Sequence, residues 1–145
     1  MEHTMRKFLI PLFLVVLASC AQVPPVKDRD VPSAFFVFFD ENSAKLVEGS
    51  PKIFDEVSAF LKYYDELSVS IIGQRAVSET SDATGGALDA KRAAVVAAQL
   101  QRRGIEVGRM VVDSKGVSET MAAAAGGDEA VDRRVDIMIR IVPVP

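Results

Sequence analysis

The chain holds one histidine and one cysteine, His3 and Cys20, both near its start. From Ala21 onward it has neither imidazole nor thiol, so a Ser-His-Asp or Cys-His centre cannot form, and the common His/Cys zinc sites are excluded. Carboxylate chemistry remains, yet no pair of acids is spaced persuasively for it. The expectation is a protein that is not an enzyme and carries neither metal nor cofactor. Arg92 draws attention instead. It falls among Leu88, Ala93, Val96, Ala97 and Leu100, which recur at helical spacing. Beside a core stripe is an odd place for a merely solvated arginine, although a pair with Asp89, three residues earlier, would serve the helix surface at a few tenths of a kcal/mol.

The elements that must position Arg92 lie within residues 68–104. Val69, Ile71 and Ile72 read as a short buried strand that Gly73 ends, and the small polar segment Val77 to Gly86 reads as a loop. A helix follows from Leu88, with Asp89 in its first turn, Arg102 and Arg103 in its last, and Gly104 as the C′ residue. Strand, polar loop and helix together make a place where a pocket can form beside a helix N-terminus.

Ala34 to Phe39 is continuously apolar and aromatic and reads as a central strand buried on both faces, the alternative being a membrane-inserting aromatic patch. Residues 46–64 read as a helix with Ser50 as N-cap and Pro51 at N1. Ile53, Val57, Phe60, Leu61 and Tyr64 form its buried stripe. Phe60, Tyr63 and Tyr64 could stack on a sugar, but a packed core edge fits them better. Met110 to Asp113 reads as a strand, the alanine-rich stretch 118–127 as a surface loop, and Arg134 to Val142 alternates as the clearest strand of all. The sum is an α+β two-layer sandwich, βαβαββ, with two helices on one face of a mixed four-stranded sheet.

Three stretches carry a resemblance. Leu88-x-x-x-Arg92-Ala93-x-x-Val96-x-x-x-Leu100-x-x-x-Gly104, Asp132-Arg133-Arg134-Val135-Asp136-Ile137 and Val37-Phe38-Phe39-Asp40 stand in the order found in OmpA-like, peptidoglycan-associated (Pal-like) domains, and together they span about residues 34–142. The resemblance implies the OmpA C-terminal-like fold and a site that grips the diaminopimelate residue of the peptidoglycan stem peptide. Such a ligand end carries an ammonium and a carboxylate, and a forked guanidinium suits the latter. By this resemblance Arg92 and Arg133 are the ligand-binding arginines. The family's Gly-His-Thr-Asp stands here as Gly73-Gln74-Arg75-Ala76, so the aspartate is missing. Asp132 also replaces an asparagine. Glu79 or Asp82, in the same loop, are the candidates to replace the missing carboxylate; alternatively both are solvated loop charges. Arg133 and Arg134 can equally order the sheet edge by pairing with Asp113 or Asp136.

Residues 1–19 read as a secretory signal peptide. Arg6 and Lys7 precede an apolar run of about 11 residues, short of the roughly 20 that span a bilayer. Leu17-Ala18-Ser19-Cys20 resembles the bacterial lipobox, with Cys20 as the lipidated first residue of the mature chain, and Ala21 after it implies the outer membrane by the same resemblance. Residues 20–33, with three prolines, form a tether, and residues 34–145 the domain. Cleavage removes Glu2, Arg6 and Lys7, so the net charge of −3 becomes about −4, which argues against nucleic acid as a partner. Two functions stay open. One is an outer-membrane lipoprotein whose periplasmic domain attaches non-covalently to peptidoglycan. The other is a diverged domain that has lost that ligand and serves as a structural or interaction subunit among envelope protein partners.

Overall fold

A computed structural model describes residues 34–79, 87–117 and 129–141. Its elements in chain order are β1 (Ala34–Phe38), α1 (Ser50–Tyr63), β2 (Leu67–Arg75), α2 (Leu88–Arg102), β3 (Met110–Val117) and β4 (Arg134–Ile141). The four strands form one mixed sheet in the order β1-β4-β2-β3. β4 runs antiparallel to both β1 and β2, whereas β2 and β3 are parallel and joined through α2. This is the α+β sandwich expected from the pattern. Phe54, Val57 and Leu61 of α1 and Ala93, Val96 and Leu100 of α2 share one core with Val37, Val69, Ile71, Val135 and Ile137 of the sheet.

Local chemistry accounts for the boundaries. Gly104 adopts a left-handed φ of 83° and closes α2, its N–H bonding Gln101 O at 2.8 Å while Ile105 N–H bonds Leu100 O at 3.1 Å. That pair of bonds is the Schellman arrangement, which satisfies carbonyls the helix end would leave open. α1 departs from expectation at its start. The cap position is Gly49, at φ 89°, and Ser50 is the first helical residue, its hydroxyl donating to Val47 O at 2.8 Å. Phe54 is fully buried where the expected stripe had Ile53, and Tyr63 is exposed while Tyr64 is buried at the core edge.

Two strands correct the sequence reading. β2 does not end at Gly73 but runs on to Arg75. Gly73 is a point of close approach, since an added Cβ would lie 2.0 Å from the Asp89 carbonyl oxygen on α2. A glycine inside a strand often marks a site where another backbone approaches closely. β1 is an edge strand, not a central one. Val37 is buried and Phe35 packs on the core, but Phe36 and Phe38 point to the face without helices and are 47% and 39% exposed.

Candidate functional site

Arg92 and Glu79 form a closed, fully buried pair: neither side chain has any exposed surface. The fold brings them together from three directions. α2 carries Arg92 on its buried stripe, in contact with β2. The turn after β2 folds Glu79 back, its N–H bonding Ala76 O at 3.2 Å, and Arg75 Nη1 donates to the Glu79 carbonyl. The polar turn after β1 comes from the other side.

Every N–H of the Arg92 guanidinium has an acceptor within the protein. Nε donates to Ser43 O at 2.9 Å. Nη1 donates to Gln74 O at 3.2 Å and to Glu79 Oε2 at 2.8 Å. Nη2 donates to Asp40 O at 3.1 Å and to Glu79 Oε1 at 2.6 Å. The Phe39 ring closes one side, its centroid 5.4 Å from the guanidinium carbon. The carboxylate is equally engaged, for Oε1 also accepts the Asn42 N–H at 2.8 Å and Oε2 the Ala76 N–H at 2.9 Å. This is the bidentate fork geometry in which a guanidinium recognises a carboxylate. Here the carboxylate belongs to the same chain.

Burial alone would push the Glu79 carboxyl upward. The hydrogen bonds from Arg92, Ala76 and Asn42, with the Arg92 charge, outweigh it and hold the carboxyl below its ordinary value of 4.5. A carboxyl lowered in the folded state contributes stability that is present above the unfolded value and lost as pH falls through the folded one. Urea denaturation of the native chain is therefore expected to show falling stability below about pH 4.5, and Glu79→Gln should flatten that dependence. An unchanged slope in Glu79→Gln would contradict this assignment.

The other residues singled out by sequence are placed as follows. Asp89 does not pair with Arg92; it accepts the Gly116 N–H at 3.0 Å and lies 3.9 Å from Arg75 Nε. The neighbouring Arg75 and the β3 backbone outcompete a helical partner that is already engaged. Arg133 accepts the Phe39 N–H through its carbonyl at 2.9 Å, and its Nε is buried without a hydrogen-bond partner. Asp132, 1% exposed, likewise leaves Oδ1 without a hydrogen bond. Arg134, not Arg133, pairs with Asp136, at 2.8 Å, and Gln74 Nε2 donates to the same carboxylate. Ala76, where the resemblance expects aspartate, is fully buried. Asp82 and Cys20 lie outside the described residues. Among the described residues, no group of three or more His, Cys, Asp and Glu could hold a metal ion.

Sequence reasoning did not find the role of Asp40, Asn42, Ser43 and Gln74, which contribute backbone groups to the pair. A carbonyl or an amide leaves no trace in residue type. The one available signal was the polar turn 40–43 directly after an apolar strand.

Residues 38–134 match the family model described as the OmpA family. Among curated proteins none matches. Solved structures with the same fold include the peptidoglycan-associated lipoprotein from Burkholderia pseudomallei, 24% identical over 72% of this chain and 89% of that one, with a TM-score of 0.64. The OmpA-like domain of FopA1 from Francisella tularensis subsp. tularensis SCHU S4 is 21% identical over 77% of this chain and 73% of its own, with a TM-score of 0.62. The C-terminal domain of MotB from Helicobacter pylori is 15% identical over 74% and 84%, with a TM-score of 0.61. At these identities the likeness is one of fold.

Proposed function

The chain belongs to the OmpA family, and from that premise we propose that it is a lipid-anchored periplasmic envelope protein whose domain keeps the family fold as a structural or interaction module without using Arg92 to hold the cell wall. One observation carries this reading: all the Arg92 donors are spent on Glu79 and three backbone carbonyls, in a pair with no exposed surface. A ligand carboxylate would have to displace one that already makes four hydrogen bonds. Glu79 therefore stands where the ligand's carboxylate would, rather than where the missing aspartate would meet the ligand's ammonium. Cys20 is the acylated residue, residues 1–19 the cleaved leader and residues 20–33 the tether to the outer membrane.

Wall attachment is the second reading, favoured by Asp132 Oδ1 and Arg133 Nε in the other half of the motif, both buried without a hydrogen bond. A buried carboxylate oxygen without a hydrogen bond, 3.9 Å from the Arg134 guanidinium, suits a zwitterionic ligand end. Sedimentation of residues 20–145 with diaminopimelate-type peptidoglycan separates the two. The native chain is expected to stay in the supernatant, as are Arg92→Ala and Arg133→Ala. Pelleting that Arg133→Ala abolishes and Arg92→Ala leaves intact would establish the second reading. Pelleting that Arg92→Ala abolishes, while circular dichroism shows that variant still folded, would overturn the closed-pair argument.

A further inference from the structure

Phe36 and Phe38 stand two residues apart on the outer face of β1 and, with Val131 and Arg134, line an open groove of about 220 Å³. Neither ring takes part in the core or in the buried pair. We propose that this face rests on the surface of the lipid bilayer to which Cys20 anchors the chain, the two rings inserting at the level of the headgroups.

Chain length favours this occupant. Thirteen residues, 21–33, separate Cys20 from the first residue of β1. Such a tether reaches at most about 45 Å. The aromatic face lies on the strand that leaves the tether, so anchoring delivers it to the bilayer first. Size favours it too. Two rings about half exposed offer roughly 150–200 Å², well below the ~800 Å² each partner of a stable protein complex buries. Shallow insertion of two aromatics beside a tether needs no more.

Composition agrees with a bilayer surface. The Arg134 guanidinium carbon lies 5.8 Å from the Phe36 ring centroid, and the arginine is held by Asp136 and the Val131 carbonyl. Phenylalanine has no polar tip of its own, and Arg134 supplies the polar group beside Phe36. Because Asp132 and Asp136 flank Arg134 at 3.9 and 2.8 Å, the three groups sum to one negative charge, and docking does not depend on anionic lipid.

The proposal rests on the anchored reading above, so the test supplies the anchor chemically. Cys20 is the sole cysteine and the chain has no tryptophan. Residues 20–145 can thus be coupled through Cys20 to a maleimide lipid in phosphatidylcholine vesicles, with one tryptophan as reporter. Phe36→Trp and Phe38→Trp report the face; Val107→Trp, at an exposed position preceding β3 at the far edge of the sheet, is the control. Circular dichroism establishes that each variant folds. Brominated phosphatidylcholine is expected to quench both face reporters at least about twofold more than the control, with a blue-shifted emission. Quenching of either face reporter no greater than at position 107 overturns the proposal. Labelled palmitate incorporation at Cys20 in cells tests the anchored reading separately, and a negative result there leaves the vesicle result interpretable.

Discussion

Glu79→Ala is expected to lose roughly 3–5 kcal/mol of folding stability, the usual cost of removing one member of a buried ion pair. The loss is large because Arg92 stays behind, charged and with no exposed surface. The backbone N–H groups of Asn42 and Ala76 lose their acceptor in the same stroke. Against a typical total of about 5–15 kcal/mol, this brings the domain close to unfolding at ordinary temperatures. The four groups that held the carboxylate are guanidinium and amide donors, so formate or acetate should take its place. Added formate is expected to raise the melting temperature of Glu79→Ala well beyond its effect on the native chain, by linkage of binding to folding. A urea titration giving less than about 1 kcal/mol for the substitution would mean that the pair is not closed in solution.

Gly73→Ala is expected to cost roughly 3 kcal/mol or more, above the ordinary range for one added methyl group. The new Cβ would sit 2.0 Å from the Asp89 carbonyl oxygen, 2.7 Å from its carbon and 3.2 Å from the Ala93 Cβ. Two of those three atoms belong to the α2 backbone and cannot swing aside, so the helix itself must lift from β2. Arg92 lies between Asp89 and Ala93 and would move with it, loosening its grip on Glu79. Chemical denaturation of the variant measures the first effect. The second appears as a flatter acid dependence of stability than the native chain shows. A variant within about 0.5 kcal/mol of native would indicate that α2 packs further from the sheet than the 2.0 Å approach at Gly73 requires.

The two results bear on each other, since both concern how tightly the start of α2 is held. Asp89 ties it to the β3 backbone at Gly116, Gly73 lets it approach β2, and Arg92 locks it to the turns after β1 and β2. The guanidinium that the resemblance offers to a ligand thus serves to join three segments distant in sequence. Its nearest partner, Glu79, is 13 residues away, and Ser43 and Asp40 are 49 and 52. Breaking a pair so placed costs more than forming it gains, because desolvation offsets most of the Coulomb gain.

Much of this architecture is set by local pattern alone. Side-chain period determines which face of β4 and α2 is apolar, and the glycine at position 104 determines where α2 stops, because only a left-handed residue closes that helix end without strain. The placement of Arg92 on a buried stripe follows from the same period. Strand order does not. An apolar run such as Ala34–Phe38 is compatible with the middle of a sheet or its edge, and only pairing with β4 on one side left Phe36 and Phe38 uncovered. Nor does the sequence distinguish a strand-ending glycine from one that a helix backbone needs, as at Gly73. Above all, it offers Glu79 and Asp82 alike as candidates to replace the missing carboxylate, or as solvated loop charges. The tertiary structure alone shows Glu79 on Arg92, because the acceptors and donors that bury an arginine are backbone groups on remote turns, and backbone groups have no residue type to read.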